Sequence, residues 1–114
     1  MAATTNDMTL PERIEALEVQ ILALRTELAR TRLEQWTGRL EHLEVQYRLG
    51  RMETDERIGS LLTDLRHRIA KARARAESRG EAAGEAVDTL ATGVEVVFAD
   101  LREAMAQARG VVTR

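Results

Sequence analysis

Residues 9–50 read TLPERIEALEVQILALRTELARTRLEQWTGRLEHLEVQYRLG, and their apolar side chains recur every three or four positions. One series is Leu10, Ile14, Leu17, Ile21, Leu24 and Leu28. A second is Trp36, Leu40, Leu43 and Tyr47. Such spacing puts each series on one stripe of an α-helix, the seam pattern of packed long helices. The start is marked as well. Thr9 is placed to cap the N–H of the third helical residue, Glu12 can reach back to close a capping box, and Pro11 sits in the first turn, where its missing N–H costs nothing. Between Leu28 and Trp36 the pattern advances eight residues where a strict heptad gives seven. Slips of this kind relax or reverse the local supercoil, so the expected winding is weakly left-handed or nearly straight.

Working outward, the same spacing returns twice more. A third series runs Ile58, Leu61, Leu65, Ile69, Ala72, Ala76, and a fourth runs Val87, Leu90, Val94, Val97, Leu101, Met105. No stretch sustains a period of two, so strands are not expected. The clearest break is residues 50–54. There Gly50 can take the left-handed conformation that ends a helix, and Thr54 can cap the next one, with Asp55 and Glu56 favoured near its positive end. Residues 80–84 (GEAAG) form a softer break, whose glycines read equally well as a helix end or as a close approach between helices.

The expected fold is therefore all-α, with long amphipathic helices over about 10–49 and 55–109, roughly 60 and 80 Å long. They form an antiparallel helical hairpin or coiled coil, with the second helix open to division at 80–84. Residues 1–8 are expected to be a disordered tail, and 9–110 a single helical domain. One hairpin buries one seam and leaves much apolar surface wet, so self-association into a four-helix or longer assembly is expected. Leu24, Leu28, Leu61, Leu65, Leu90, Val97 and Leu101 are expected to be buried, within the chain or in its oligomer.

Composition narrows the function classes. Of 114 residues, 32% are charged and 3% aromatic, with one Trp, one Tyr and one Phe. That mixture suits narrow helix seams. Cysteine is absent, which excludes a disulfide framework, thiolate metal sites and thiol catalysis and fits a cytoplasmic setting. No apolar run approaches the roughly 18 residues that span a bilayer, and residues 1–10 lack the features of a secretory signal.

Candidate chemistry is sparse. His42 and His67 are the only histidines, and Asp64 lies three residues before His67. Helical-bundle metal sites need several such ligand pairs to converge, so no metal or cofactor is expected. Carboxylates such as Glu12, Glu15 and Glu18, or Glu41 and Glu44, follow the spacing of a solvated helix face. No phosphate loop or nucleophile motif occurs, and no enzyme activity is expected.

Charge is distributed unevenly. Residues 66–79 (RHRIAKARARAESR) carry Arg66, Arg68, Lys71, Arg73, Arg75 and Arg79 against Glu77 alone, and residues 81–103 reverse the balance. This basic block is the candidate interaction surface. The favoured reading is that the two blocks pair across a helix interface and fix alignment. Binding of the block to an anionic membrane or granule surface ranks second. Nucleic-acid contact ranks last, because the patch is short, no reading motif accompanies it, and the net charge is −2.

Residues 36–108 also resemble small uncharacterised bacterial coiled-coil proteins. Trp36, Leu40, Leu43 and Tyr47 match their mid-helix Trp with spaced Leu and Tyr. The segment Ala86-Val87-Asp88-Thr89-Leu90 with Gly93-Val94 matches their pattern A-[WV]-x-x-L-x-x-G-[VI]. A second resemblance is to phasins, helical proteins that coat storage granules. Neither supplies site residues. Together with the residue patterns they lead to the expectation of a homo-oligomeric coiled-coil scaffold or adaptor, with a lipid- or granule-surface coat as the alternative.

Overall fold

A computed structural model describes residues 9–113, and the segment expected to be a tail, 1–8, lies outside them. Among the described residues there are three long helices and no strand: α1 (Leu10–Leu49), α2 (Glu56–Arg79) and α3 (Ala83–Thr113), with a 3-10 turn at Gly80–Ala82 before α3. The chain is all-α and elongated, 72 × 28 × 18 Å.

α1 begins as its capping box requires. The Glu12 N–H donates to Thr9 Oγ1 and the Thr9 N–H donates to a Glu12 carboxylate oxygen, both at 3.3 Å. Its end departs from the sequence reading. Gly50 is right-handed (φ −80°), and the left-handed residue is Arg51 (φ 55°). The Met52 N–H reaches Tyr47 O at 3.0 Å and the Arg51 N–H reaches Arg48 O at 3.2 Å. These two bonds make a Schellman motif, which satisfies carbonyls the helix leaves open. The space at Gly50 is tight: a Cβ there would lie 2.8 Å from Met52 Cε, the flexible end of that side chain, and 3.0 Å from Gln46 O. Met52, one residue past the left-handed turn, is buried. The next helix is capped by Asp55, one residue later than expected, whose carboxylate accepts the Ile58 N–H at 3.1 Å.

The second break is real. Gly80 has φ 54° and ψ −107°, a conformation L side chains rarely adopt, and it divides what could have been one helix into α2 and α3. The expected hairpin becomes a three-helix arrangement. α2 runs back along the C-terminal part of α1, and α3 returns along both; α2 and α3 pack most extensively. Gly84 lets the α2–α3 corner close on α1, since a Cβ there would lie 2.8 Å from Arg25 Cβ and 3.0 Å from Arg25 O.

Three seams feed one core. α1 contributes Ala29, Leu33, Trp36, Leu40 and Leu43, α2 contributes Ile58, Leu62, Leu65, Ile69 and Ala72, and α3 contributes Val87, Val94, Phe98, Leu101 and Met105 among others. Of the residues expected to be buried, Leu65, Val97 and Leu101 are, and Leu61 and Leu90 pack against the core half-buried. Leu24 and Leu28 are exposed in the single chain. The eight-residue advance explains this. At about 100° per residue, one extra position turns the apolar stripe by roughly a quarter of the helix circumference. The stripe ending at Leu28 therefore points away from the core that begins at Ala29 and Leu33.

Candidate interaction surface

Helix lengths dictate what is covered. α1 has 40 residues and α2 has 24. At 1.5 Å per residue these are about 60 and 36 Å, so α2 cannot shield all of α1. The α2–α3 corner meets α1 at Arg25, where Gly84 packs. The residues of α1 before that point project from the three-helix body as an arm.

On this arm, and at Leu28 just beyond it, the first sequence series lies bare. Leu10, Ile14, Leu17, Ile21, Leu24 and Leu28 are between 49% and 72% exposed. Val19 and Leu22 are also exposed but lie on other faces of the arm, and Val45 and Leu49 are exposed farther along the same helix. Scattered exposed apolar residues are ordinary, but an aligned row is not. Sequence spacing identified the row as a seam but did not reveal that the rest of the chain fails to cover it.

The basic block divides into paired and unpaired members. Arg66 Nη2 donates to Glu44 Oε2 at 3.0 Å and Arg73 Nη2 to Thr37 Oγ1 at 2.8 Å, both across to α1. Arg68 Nε donates to Asp64 Oδ1 at 3.1 Å within α2, and its guanidinium lies against Gly93 of α3. Among the described residues Lys71, Arg75 and Arg79 make no ion pair. Arg75 and Arg79 line a shallow groove with Glu85 and Thr89 of α3, so a carboxylate already stands where an anion would enter. The expected pairing of this block with the acids of 81–103 is not among the ion pairs of the described residues.

Two of those acids, Asp88 and Glu95, turn to α1 instead. Asp88 accepts Arg32 Nη1 at 2.8 Å. Glu95 accepts the Trp36 indole N–H at 3.0 Å and Arg39 Nη1 at 3.0 and 3.3 Å. The Arg39 guanidinium also stacks 3.9 Å from the Phe98 ring centre. Burial pushes the Glu95 carboxyl up, but the bonds from Arg39 and Trp36, with the charges of Arg39 and Arg102, hold it below its ordinary value. This cluster clamps α1 to α3 and is the polar feature that a one-dimensional charge tally missed.

His42 and His67 are both exposed. Among the described residues no group of three or more His, Cys, Asp or Glu is arranged to hold a metal ion, and no helix is long and apolar enough to cross a membrane. Comparison of the chain with protein-family models, curated proteins and solved structures finds no match.

Proposed function

We propose that this protein is a structural, self-associating coiled-coil scaffold or adaptor: a three-helix body that presents a helical arm for assembly. One observation carries this reading, the row of six aligned Leu and Ile side chains at residues 10–28 left bare by the rest of the chain. Fully burying one such side chain is worth about 1.5–3 kcal/mol, so covering the row supplies a large driving force for association. The product of the protein is then an interface. No catalytic residue, metal or cofactor is assigned to it. We place it in the cytoplasm, in keeping with a chain that has no cysteine to pair in an oxidising compartment.

The surface-coat alternative draws on Lys71, Arg75 and Arg79, which lack ion partners among the described residues. It requires basic charge beside the apolar face that inserts. The bare row lies on another helix, and its own flanks mix Glu18 and Glu27 with Arg13 and Arg25. That mixture suits a protein partner better than an anionic lipid.

Light scattering across a dilution series tests the proposal. The scaffold reading requires a mass above the 12.8 kDa of one chain that falls towards it on dilution. Its helicity and assembly should be the same with and without anionic vesicles. A chain that stays monomeric alone and binds vesicles would replace this reading with the coat.

A further inference from the structure

We infer that residues 10–28 of α1 form a parallel, in-register, two-stranded coiled coil with the same segment of a second copy. This rests on the self-association proposed above and specifies its partner, direction and strand number.

The row obeys a strict heptad. Leu10, Leu17 and Leu24 fall at d, and Ile14, Ile21 and Leu28 at a. In parallel coiled coils, β-branched residues at a with Leu at d favour two strands. An antiparallel pair mixes a and d in every layer, so it draws no benefit from keeping Ile at a and Leu at d.

The flanking charges agree. Positions g are Arg13, Gln20 and Glu27, and positions e are Glu18, Arg25 and Arg32. In a parallel pair each g residue faces the e residue five positions later on the other strand. Arg13 then meets Glu18, Gln20 meets Arg25, and Glu27 meets Arg32, with no like-charged contact. Arg32 keeps Asp88 of its own chain through Nη1, leaving other guanidinium donors for Glu27. The antiparallel arrangement that covers the same row turns about a point between Leu17 and Ile21. It joins Arg13 to Glu27 but brings Glu18 against its own copy.

The area and geometry suffice. Six such side chains on each copy cover on the order of 1,000 Å², the size at which a specific interface becomes credible. The row is turned by about 100° from the core-facing stripe of the same helix. Each three-helix body therefore stands to the side of the proposed seam, and pairing requires no repacking of the core.

The native chain has no cysteine, so single cysteine variants report cleanly. The experiment combines light scattering of the parent with air oxidation of Leu24→Cys, Ile14→Cys and an equal mixture of the two. In the parallel pair residue 24 faces residue 24, within the Cα separation of about 7 Å that a disulfide tolerates. In the antiparallel pair the two copies of residue 24 lie about 15 Å apart along the helices, and 24 faces 14 instead. The expected result is a parent of twice the single-chain mass and Leu24→Cys chains that cross-link to themselves. A dimer that cross-links only between residues 14 and 24, or not at all, overturns the parallel seam while leaving self-association standing. A trimer or larger parent overturns the strand number. A parent that is monomeric at every concentration overturns both this inference and the scaffold reading. Ile21→Glu gives an independent check. It should return the chain to monomer with Trp36 emission unchanged, because residue 21 lies outside the core; a dimer that survives Ile21→Glu also overturns the seam.

Discussion

The two halves of α1 are built from the same residue types at the same spacing, yet one is interior and the other surface. Leu33, Leu40 and Leu43 lie under α2 and α3, whereas Leu17, Leu24 and Leu28 face water. Two things make this difference: the eight-residue advance from Leu28 to Trp36, which turns the apolar stripe, and the length of the opposing helix. Gly80 stops α2 after 24 residues, so the return path ends level with Arg25 and leaves the apolar row of the earlier turns exposed. Periodicity thus reports that a face seeks burial, while chain geometry determines who provides it.

The sharpest way to break the comparison is to delete matching volume from each half. Leu65→Ala or Leu101→Ala, at positions with 0% exposure, should cost about 2–5 kcal/mol of folding stability. Leu24→Ala should leave the melting of a dilute sample unchanged and act only at concentrations where the chain assembles. Thermal melts at low and high concentration separate these outcomes, and an equal loss at both sites under dilute conditions would mean the arm is covered within the chain.

Next in size is the break itself. Gly80→Ala forces a Cβ into a backbone conformation that costs on the order of 1–3 kcal/mol. Denaturant titration should register that loss if the three-helix arrangement is kept. If instead α2 and α3 fuse into one helix, small-angle scattering would show a longer particle, and the arm would lose its exposure.

A smaller effect concerns the clamp on the buried half. The Glu95 carboxyl is held below its ordinary value in the fold, so its folded pKa lies under its unfolded one. Its contribution is therefore complete above the unfolded carboxyl range and is lost as pH falls through the lowered folded value. Its side chain is half exposed, which limits the contribution to about 1 kcal/mol or less. Glu95→Gln should flatten the acid side of the stability profile, and Trp36 emission should follow the parent's titration because the indole N–H donates to that carboxylate. An unaltered acid limb would show that the clamp contributes nothing. The smallest expected change is a gain. Arg51→Gly removes a side chain from a left-handed residue (φ 55°), and should stabilise by on the order of 0.5 kcal/mol in a thermal melt.

Much of this arrangement was legible in the residues. The Thr9–Glu12 box, the helix class and the four apolar series follow from cap chemistry and period; the exposure of the first series in the single chain does not. The turn between α1 and α2 was legible in place but not in detail. Its left-handed position fell to Arg51, one residue after Gly50. Residues 80–84 could not be decided from sequence, since Gly80 and Gly84 each read two ways. In the fold they serve both: Gly80 breaks the helix and Gly84 permits the approach to Arg25. The charge blocks were visible, but sequence does not say which neighbour a helix flank faces. Asp88 and Glu95 turned to Arg32 and Arg39 of α1, and the basic residues of α2 were left to Glu44, Thr37 and Asp64.

The most direct test of the central claim is amide hydrogen exchange followed along α1 at several protein concentrations. Amides of residues 29–47 should be protected at every concentration, because the body that covers them is in the same chain. Amides of residues 10–28 should exchange quickly in dilute samples and become protected as concentration rises. Protection of residues 10–28 that is strong in dilute samples, or that never changes with concentration, would contradict the account.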